Sequence, residues 1–406
     1  MTASFDLIVF GASGFTGQLV AQYLQTTYGS DSGLSWALAG RDAAKLARVR
    51  QAIGAPETLP LLTADARQPN ELRALVRQAR AVITTVGPYQ LHGEALVAAC
   101  AEAGTDCVDL CGEPLWMAKM VQQLQAPAAA SGARIVFSCG FDSIPFDLGV
   151  VFLQHQMQQR LGAFASQVRA RVRVMKGGFS GGTTASLMGT LQAIEQDPAL
   201  AAVMADPFAL TPGFRGPAQP SGEGAAFDDW AQRWSGPFVM AAINTKNVHR
   251  THALRGHPWG KAFVYDERVF TGSGLRGQVR ARALAGQTWL QSALLAQATT
   301  RALIQRCALP QPGQGPSAAE REAGRYEVQF TGQTAAGQRL SVLVKGDKDP
   351  GYGSTSKLVS ESALCLLQDV DRRATPGGVW TPGAAMGLAL VRRLQARAGL
   401  SFAVQD

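Results

Sequence analysis

Over the first 150 residues, short apolar runs alternate with stretches whose apolar positions recur every three or four residues. The runs DLIVFG (6–11), SWALAG (35–40), LPLLTAD (59–65), AVITTVG (81–87), DCVDLCG (106–112) and ARIVFSCG (133–140) predict strands. TGQLVAQYLQTTY (16–28), DAAKLARVRQAIG (42–54), PNELRALVRQA (69–79), HGEALVAACAEAG (92–104) and a stretch near 114–131 predict the helices between them. A strand that is apolar on both faces must be covered on both, and the intervening amphipathic helices supply that cover. The pattern predicts an α/β fold, a doubly wound parallel sheet of the Rossmann type, over residues 1–145.

The texture changes near residue 165. SQVRARVRVMKGG (166–178) alternates arginine with apolar residues, as a strand with one polar face does. GGTTASLMGTLQAIEQ (181–196) is a glycine-rich turn entering a helix, and 206–237 is rich in Pro and Gly and predicted irregular. RYEVQFTGQTAAGQRLSVLVKG (325–346) predicts a hairpin. These segments predict a second, α+β domain over 146–345 with a mixed or antiparallel sheet. STSKLVSESALCLLQDV and GAAMGLALVRRLQARAG predict helices within 346–406 that return to the first domain.

With 406 residues, 46% of them hydrophobic, the chain can bury two such cores. No apolar run is long enough to cross a bilayer, and MTASFDLIVFGAS lacks the basic start and cleavage site of a signal peptide, so a cytoplasmic protein is expected. The six cysteines are scattered, and Cys107 and Cys111 have no second pair nearby, which favours reduced thiols over metal ligands. His249 and His252 share a helical spacing but lack a carboxylate motif; they are expected at the surface, with no metal. The net charge of +8 comes mainly from arginine, without a basic tail or nucleic-acid motif. It either suits an anionic ligand, a phosphorylated cofactor or an acyl carrier, or is simply a soluble basic surface.

FGASGFTG (10–17) sets Gly11, Gly14 and Gly17 three apart between a predicted strand and a predicted helix. A dinucleotide turn needs glycine for its tight bend, for close approach of the pyrophosphate and for helix-to-sheet packing. The helix N-terminus then offers free N–H groups to the phosphates. Ser13 and Thr16 add hydroxyls, and Phe15 lies in the same turn. After the second strand, where NAD sites carry an acid, stands Arg41, with Lys45 one turn on. Asp42 comes one residue late and is placed to cap the next helix. NADP(H) is therefore the expected cofactor. TTVGPY (84–89) ends the fourth strand: Val86, Gly87 and Pro88 form the turn passing the nicotinamide half, with Tyr89 directed toward it. Asp65, ending the third strand, fits either the adenine edge or a turn cap.

Together these motifs resemble the saccharopine dehydrogenase-like oxidoreductases, and more narrowly their trans-acting enoyl reductase branch. The resemblance rests on VFGASGFTG, ALAGRDAAKL, TTVGPY, CVDLCGE (107–113), CGFDSIPFDLG (139–149), SGGTTASL (180–187), DPGYGSTSKLVSESALCL (349–366) and GGVWTPGAAMG (377–387). CVDLCGE carries cysteine at the first place, where the family pattern has tyrosine. The resemblance implies an NADP-binding Rossmann domain and a smaller substrate domain. It also implies reduction of a carbon–carbon double bond in a hydrophobic lipid or polyketide acyl group carried by a partner protein. A homodimer is among the assemblies left open. Two other readings stand beside it. Saccharopine-type C–N chemistry on an amino-acid conjugate would want a basic cluster and a Lys/His pair, which the sequence does not assemble. A non-catalytic NADP-binding or lipid-associated scaffold would keep the fold without turnover.

Enoyl reduction needs hydride at the β-carbon, a stabilised enolate oxygen and a proton for the α-carbon. Tyr89 is either that acid or a ring packed on the cofactor, and His92 reads as the start of the next helix. Asp142 and Ser143 either orient the substrate or cap the helix leaving for the second domain. Thr183 and Thr184 either hold an oxyanion or cap their own helix. Tyr352 and Lys357 in PGYGSTSK (350–357) lie beside the cofactor or at a helix cap. Trp230, Trp234, Phe238 and Trp259 are expected in the second domain's core.

Overall fold

The structure is a computed structural model and describes residues 3–29, 32–177, 181–297, 300 and 315–405, without the side chains of 181–184 and 296. Two seven-stranded sheets carry the chain. The first is wholly parallel: β1 (Phe5–Phe10), β2 (Trp36–Gly40), β3 (Leu61–Thr63), β4 (Ala79–Thr84), β5 (Asp106–Val108), β6 (Arg134–Val136) and β13 (Gly378–Trp380), in the order β13-β6-β5-β4-β1-β2-β3. Winding reverses between β1 and β4, which pair directly, Phe10 opposite Thr84. At such a switch point the loops leaving the strands diverge and open a crevice at the carboxyl edge.

Several paired segments are shorter than the apolar runs that predicted them. β5 and β6 keep three residues each because Asp109 Oδ1 accepts from the N–H of Cys111 (3.0 Å) and of Ser138 (2.8 Å), drawing both following loops out of the ladder and together.

The second sheet runs β14-β12-β11-β7-β10-β9-β8. Its strands are β7 (Gln167–Lys176), β8 (Ala226–Asp228), β9 (Arg233–Pro237), β10 (Val264–Gly272), β11 (Arg325–Gln333), β12 (Arg339–Gly346) and β14 (Leu400–Gln405), and only β7 and β10 pair in parallel. The stretch expected to be irregular thus contains β8 and β9, an edge hairpin recruited by β10.

Helix Ile144–Leu161 links the sheets. Its residues 144–153 are apolar except for Asp147, as a helix end buried on several sides requires, and Gly149 makes room for the Phe330 ring, since a Cβ there would come within 2.4 Å. Helix Thr355–Gln368 packs on helix Phe15–Tyr28, where buried Glu361 accepts from Tyr23 Oη (2.6 Å) and Tyr28 Oη (2.8 Å) and pairs with Arg393. The last segment is more than helical: β13 extends the first sheet, while β14 joins β12 in the second.

The histidine pair corrects an expectation. Helix Ala241–Leu254 is packed between β10 and helix Ile144–Leu161, so His249 and His252 are buried rather than on the surface. His252 stacks on Trp259 at 4.8 Å, and burial pushes His249 down to about 3 and His252 to about 4. Among the described residues no group of three or more His, Cys, Asp or Glu is arranged to hold a metal. Phe238 and Trp259 are core residues, whereas Trp230 lies under the Arg169 guanidinium, 3.8 Å away, at a small cleft on the second sheet.

Candidate active site

The turn after β1 has the geometry that its glycines suggest. Gly11 has φ +86°, and a Cβ there would lie 2.7 Å from Val86 Cγ2 and 2.8 Å from Thr85 Oγ1, in the loop after β4. At Gly17 a Cβ would come within 2.1 Å of Gly11 O, so the helix sits directly on the turn. Gly14 is the N-cap of helix Phe15–Tyr28; no side chain caps that end, and the first turn carries no acid. The amides of Phe15, Thr16 and Gly17 therefore have no intrahelical acceptor and a positive dipole end behind them, which fits a pyrophosphate. Ser13 Oγ borders Gly40, at the mouth of the next strand. The Phe15 ring is held from outside: Tyr352 meets it edge-on at 4.7 Å, and Arg321 lies over it at 5.6 Å.

Arg41 and Lys45 stand exposed beyond β2. Asp42 is turned back into its own helix, its carboxylate accepting from Lys45 N at 3.0 Å. Asp65 is likewise engaged. Arg67 binds its carboxylate through Nη2 (2.7 Å), Nε (3.1 Å) and the backbone N–H (2.9 Å), holding it well below the usual carboxylate range. Its side chain is a turn cap, and the charges left free at this corner are positive.

On the other side of the switch point, Val86, Gly87 and Pro88 form the turn after β4, with a cis Gly87–Pro88 peptide. Tyr89 departs from expectation. Its hydroxyl donates to Thr84 O (3.1 Å) and accepts from Leu110 N (3.0 Å), its ring packs on Trp116, and burial raises its pKa well above the ordinary value. It seals the wall behind the crevice and is not exposed to deliver a proton. His92 ends the short helix Tyr89–His92 rather than starting the next.

That short helix is held by a residue to which the sequence reading gave no role. Buried Glu113 accepts from the N–H groups of Tyr89 and Gln90, both at 2.9 Å, and from Ser186 Oγ at 2.6 Å. Its carboxylate joins the loop after β5, the turn after β4 and helix Gly181–Gln196. The signal was present: an acid closing the apolar run CVDLCGE has to find donors. Asp109 of the same run is buried too, with Oδ2 unpartnered, and burial pushes it up to about 7.

The loop after β6 brings Asp142 and Ser143 to the same edge. Phe141 N donates to Thr355 Oγ1 at 3.0 Å, which joins this loop to the start of helix Thr355–Gln368. Ser143 is turned away from the crevice: its hydroxyl donates to Asn244 Oδ1 (3.1 Å) and accepts from Asn247 Nδ2 (2.9 Å). Asn244 in turn donates to Glu267, which burial pushes up to about 8. Ser143 thus ties the start of its helix to helix Ala241–Leu254 and does not cap its own helix through its side chain. Asp142 is half-buried, without a hydrogen-bond or ion-pair partner among the described residues, and burial alone pushes it up to about 6. Thr183 and Thr184 lie in the first turn of helix Gly181–Gln196, but their side chains are outside the described residues. Lys357 pairs with Asp347 at 3.3 Å, and Tyr352 is buried against Phe15.

A glycine phosphate turn at the switch point of a parallel sheet and a basic corner after β2 define an oxidoreductase-type dinucleotide-binding protein. Residues 7–136 match the saccharopine dehydrogenase NADP-binding domain. The chain is 41% identical over 421 residues to a Mycobacterium tuberculosis protein provisionally named a trans-acting enoyl reductase, covering 99% of this chain and 98% of that one. It is 36% identical over 408 residues to a trans-acting enoyl reductase of Mycobacterium bovis, covering 96% and 95%. Apo saccharopine dehydrogenase (L-Glu forming) of Saccharomyces cerevisiae shares the fold at 11% identity, with a TM-score of 0.53 over 99% of this chain and 100% of that one. The chain belongs to the trans-acting enoyl reductase family, built on an NADP-binding saccharopine dehydrogenase-type domain.

Proposed function

We propose that this protein reduces the activated carbon–carbon double bond of a hydrophobic acyl thioester. NADPH, when bound, supplies the hydride that reaches the β-carbon. The turn at Gly11, Gly14 and Gly17 holds the pyrophosphate, Arg41 and Lys45 the 2′-phosphate, and Val86, Gly87 and Pro88 the far half of the cofactor. Asp142 gives its proton to the α-carbon, and its ionised carboxylate is reprotonated from solvent. The first turn of helix Gly181–Gln196, containing Thr183, is assigned to the acyl oxygen, where helix-end amides stabilise developing negative charge. Ser143, held by Asn244 and Asn247, acts through the position of its neighbour Asp142.

The observation that carries this reading is Asp142: at the carboxyl edge that also bears the phosphate turn, its carboxyl has no hydrogen-bond or ion-pair partner among the described residues, and burial pushes it up to about 6. A basic surface suits presentation of the acyl group on an acidic carrier protein. The test is consumption of NADPH with enoyl thioesters of increasing chain length, free and carrier-bound. Wild-type protein is expected to oxidise NADPH with saturated thioester as product. A flat trace across all chain lengths and both forms, with NADPH demonstrably bound, would defeat the proposal.

A further inference from the structure

Helix Gly274–Ala296 lies on β9 and β10 with one side only. Ala281 is fully buried there, and Leu284 covers Gly236 closely enough that a Cβ would meet it at 2.8 Å. The opposite side presents Leu275 (75% exposed), Val279, Trp289 (72% exposed), Leu290 and Leu294 to solvent. Positions 275, 279, 282, 286, 290 and 294 succeed one another by three or four residues and form one stripe. Arg276, Arg280 and Arg282 are exposed on the same helix without an ion-pair partner among the described residues, and the helix contains no acid. Exposed apolar side chains gathered on one helix mark an interaction surface.

We propose that this helix docks the protein on an anionic lipid surface. A basic amphipathic helix with Trp and Leu on its apolar side fits the headgroup layer, where arginines meet lipid phosphates and the apolar stripe reaches the acyl boundary. Two features favour a bilayer over a protein. Arg282 sits within the stripe, so pairing with a second copy would press like charges together as water leaves. Residues 289–294 are exposed throughout, so among the described residues the helix end stands clear of the sheet with nothing covering it. A rigid partner covers one stripe, whereas a fluid headgroup layer receives the whole end. The proposal is independent of the reaction assigned above.

The test sediments the full-length protein with vesicles of phosphatidylcholine alone and with vesicles of phosphatidylcholine and phosphatidylglycerol in equal parts, at low and high salt. Sedimentation velocity without vesicles reports its assembly. The expected result is retention on the anionic vesicles only, released by salt. Arg276→Gln, Arg280→Gln and Arg282→Gln each weaken it roughly fivefold. Trp289→Gln combined with Leu290→Gln abolishes it, while NADPH binding persists in every variant and shows that the fold is intact. Retention on neither vesicle, or equally on both, overturns the proposal. So does a dimer that the Trp289/Leu290 double variant splits, or binding to an acidic carrier protein without binding to anionic vesicles.

Discussion

Ser186 Oγ donates to Glu113 Oε1 at 2.6 Å, tying helix Gly181–Gln196 to the loop after β5 across 73 residues of chain. The same carboxylate holds the turn after β4, so the position of this helix depends on the wall of the crevice. Ser186→Ala removes a hydrogen bond to a charged acceptor and is expected to cost about 1.5–3 kcal/mol in thermal unfolding. The turnover number should fall, while NADPH affinity stays near wild type because Glu113 keeps both amides. An equal loss of NADPH affinity in a fluorescence titration would speak against this division of labour.

Arg41 is exposed and Asp42 is committed to its own helix, leaving the 2′-phosphate as the group this corner favours. Arg41→Ala should weaken NADPH binding on the order of tenfold to a hundredfold and leave NADH binding nearly unchanged. Parallel titrations with the two nucleotides decide it. A uniform loss for both would show that Arg41 acts on the fold rather than on the phosphate.

Gly17 has no space for a side chain, with a Cβ placed 2.1 Å from Gly11 O. Gly17→Ala must push the helix off the turn, costing about 1–3 kcal/mol of stability and most of the NADPH affinity. Gly14→Ala, where the nearest atom is 3.3 Å away, should be milder in both respects. Thermal melts with and without NADPH read both effects, and a Gly17→Ala protein stabilised by NADPH as strongly as wild type would contradict the cradle.

Asp142, raised to about 6 by burial, can donate a proton in the proposed reaction only while protonated. Turnover is therefore expected to fall as pH rises through about 6, and Asp142→Asn should remove that limb together with most of the activity, on the order of a hundredfold. The stability effect has the same sign. A carboxyl whose folded pKa lies above its unfolded value favours the folded state most at low pH, and that contribution is lost as pH rises from about 4 to about 6. An unchanged pH–rate profile in Asp142→Asn would falsify the assignment.

By itself the sequence determined the parallel sheet, the glycine turn and the basic corner after β2. These are local matters: apolar period, a positive φ that glycine accommodates, and a charge a fixed number of residues past a strand. Tertiary structure alone decided what the polar side chains do, since that depends on which distant segments arrive beside them. Tyr89 became a sealed wall because Leu110 and Trp116 pack on it, and Ser143 was drawn to Asn244, 101 residues away. The spacing of His249 and His252 was legible, but their burial was not, because another helix and a sheet cover them. Glu113 and Asp142 look alike as lone acids after apolar runs. Among the described residues one meets three donors and the other none, and no spacing along the chain distinguishes them.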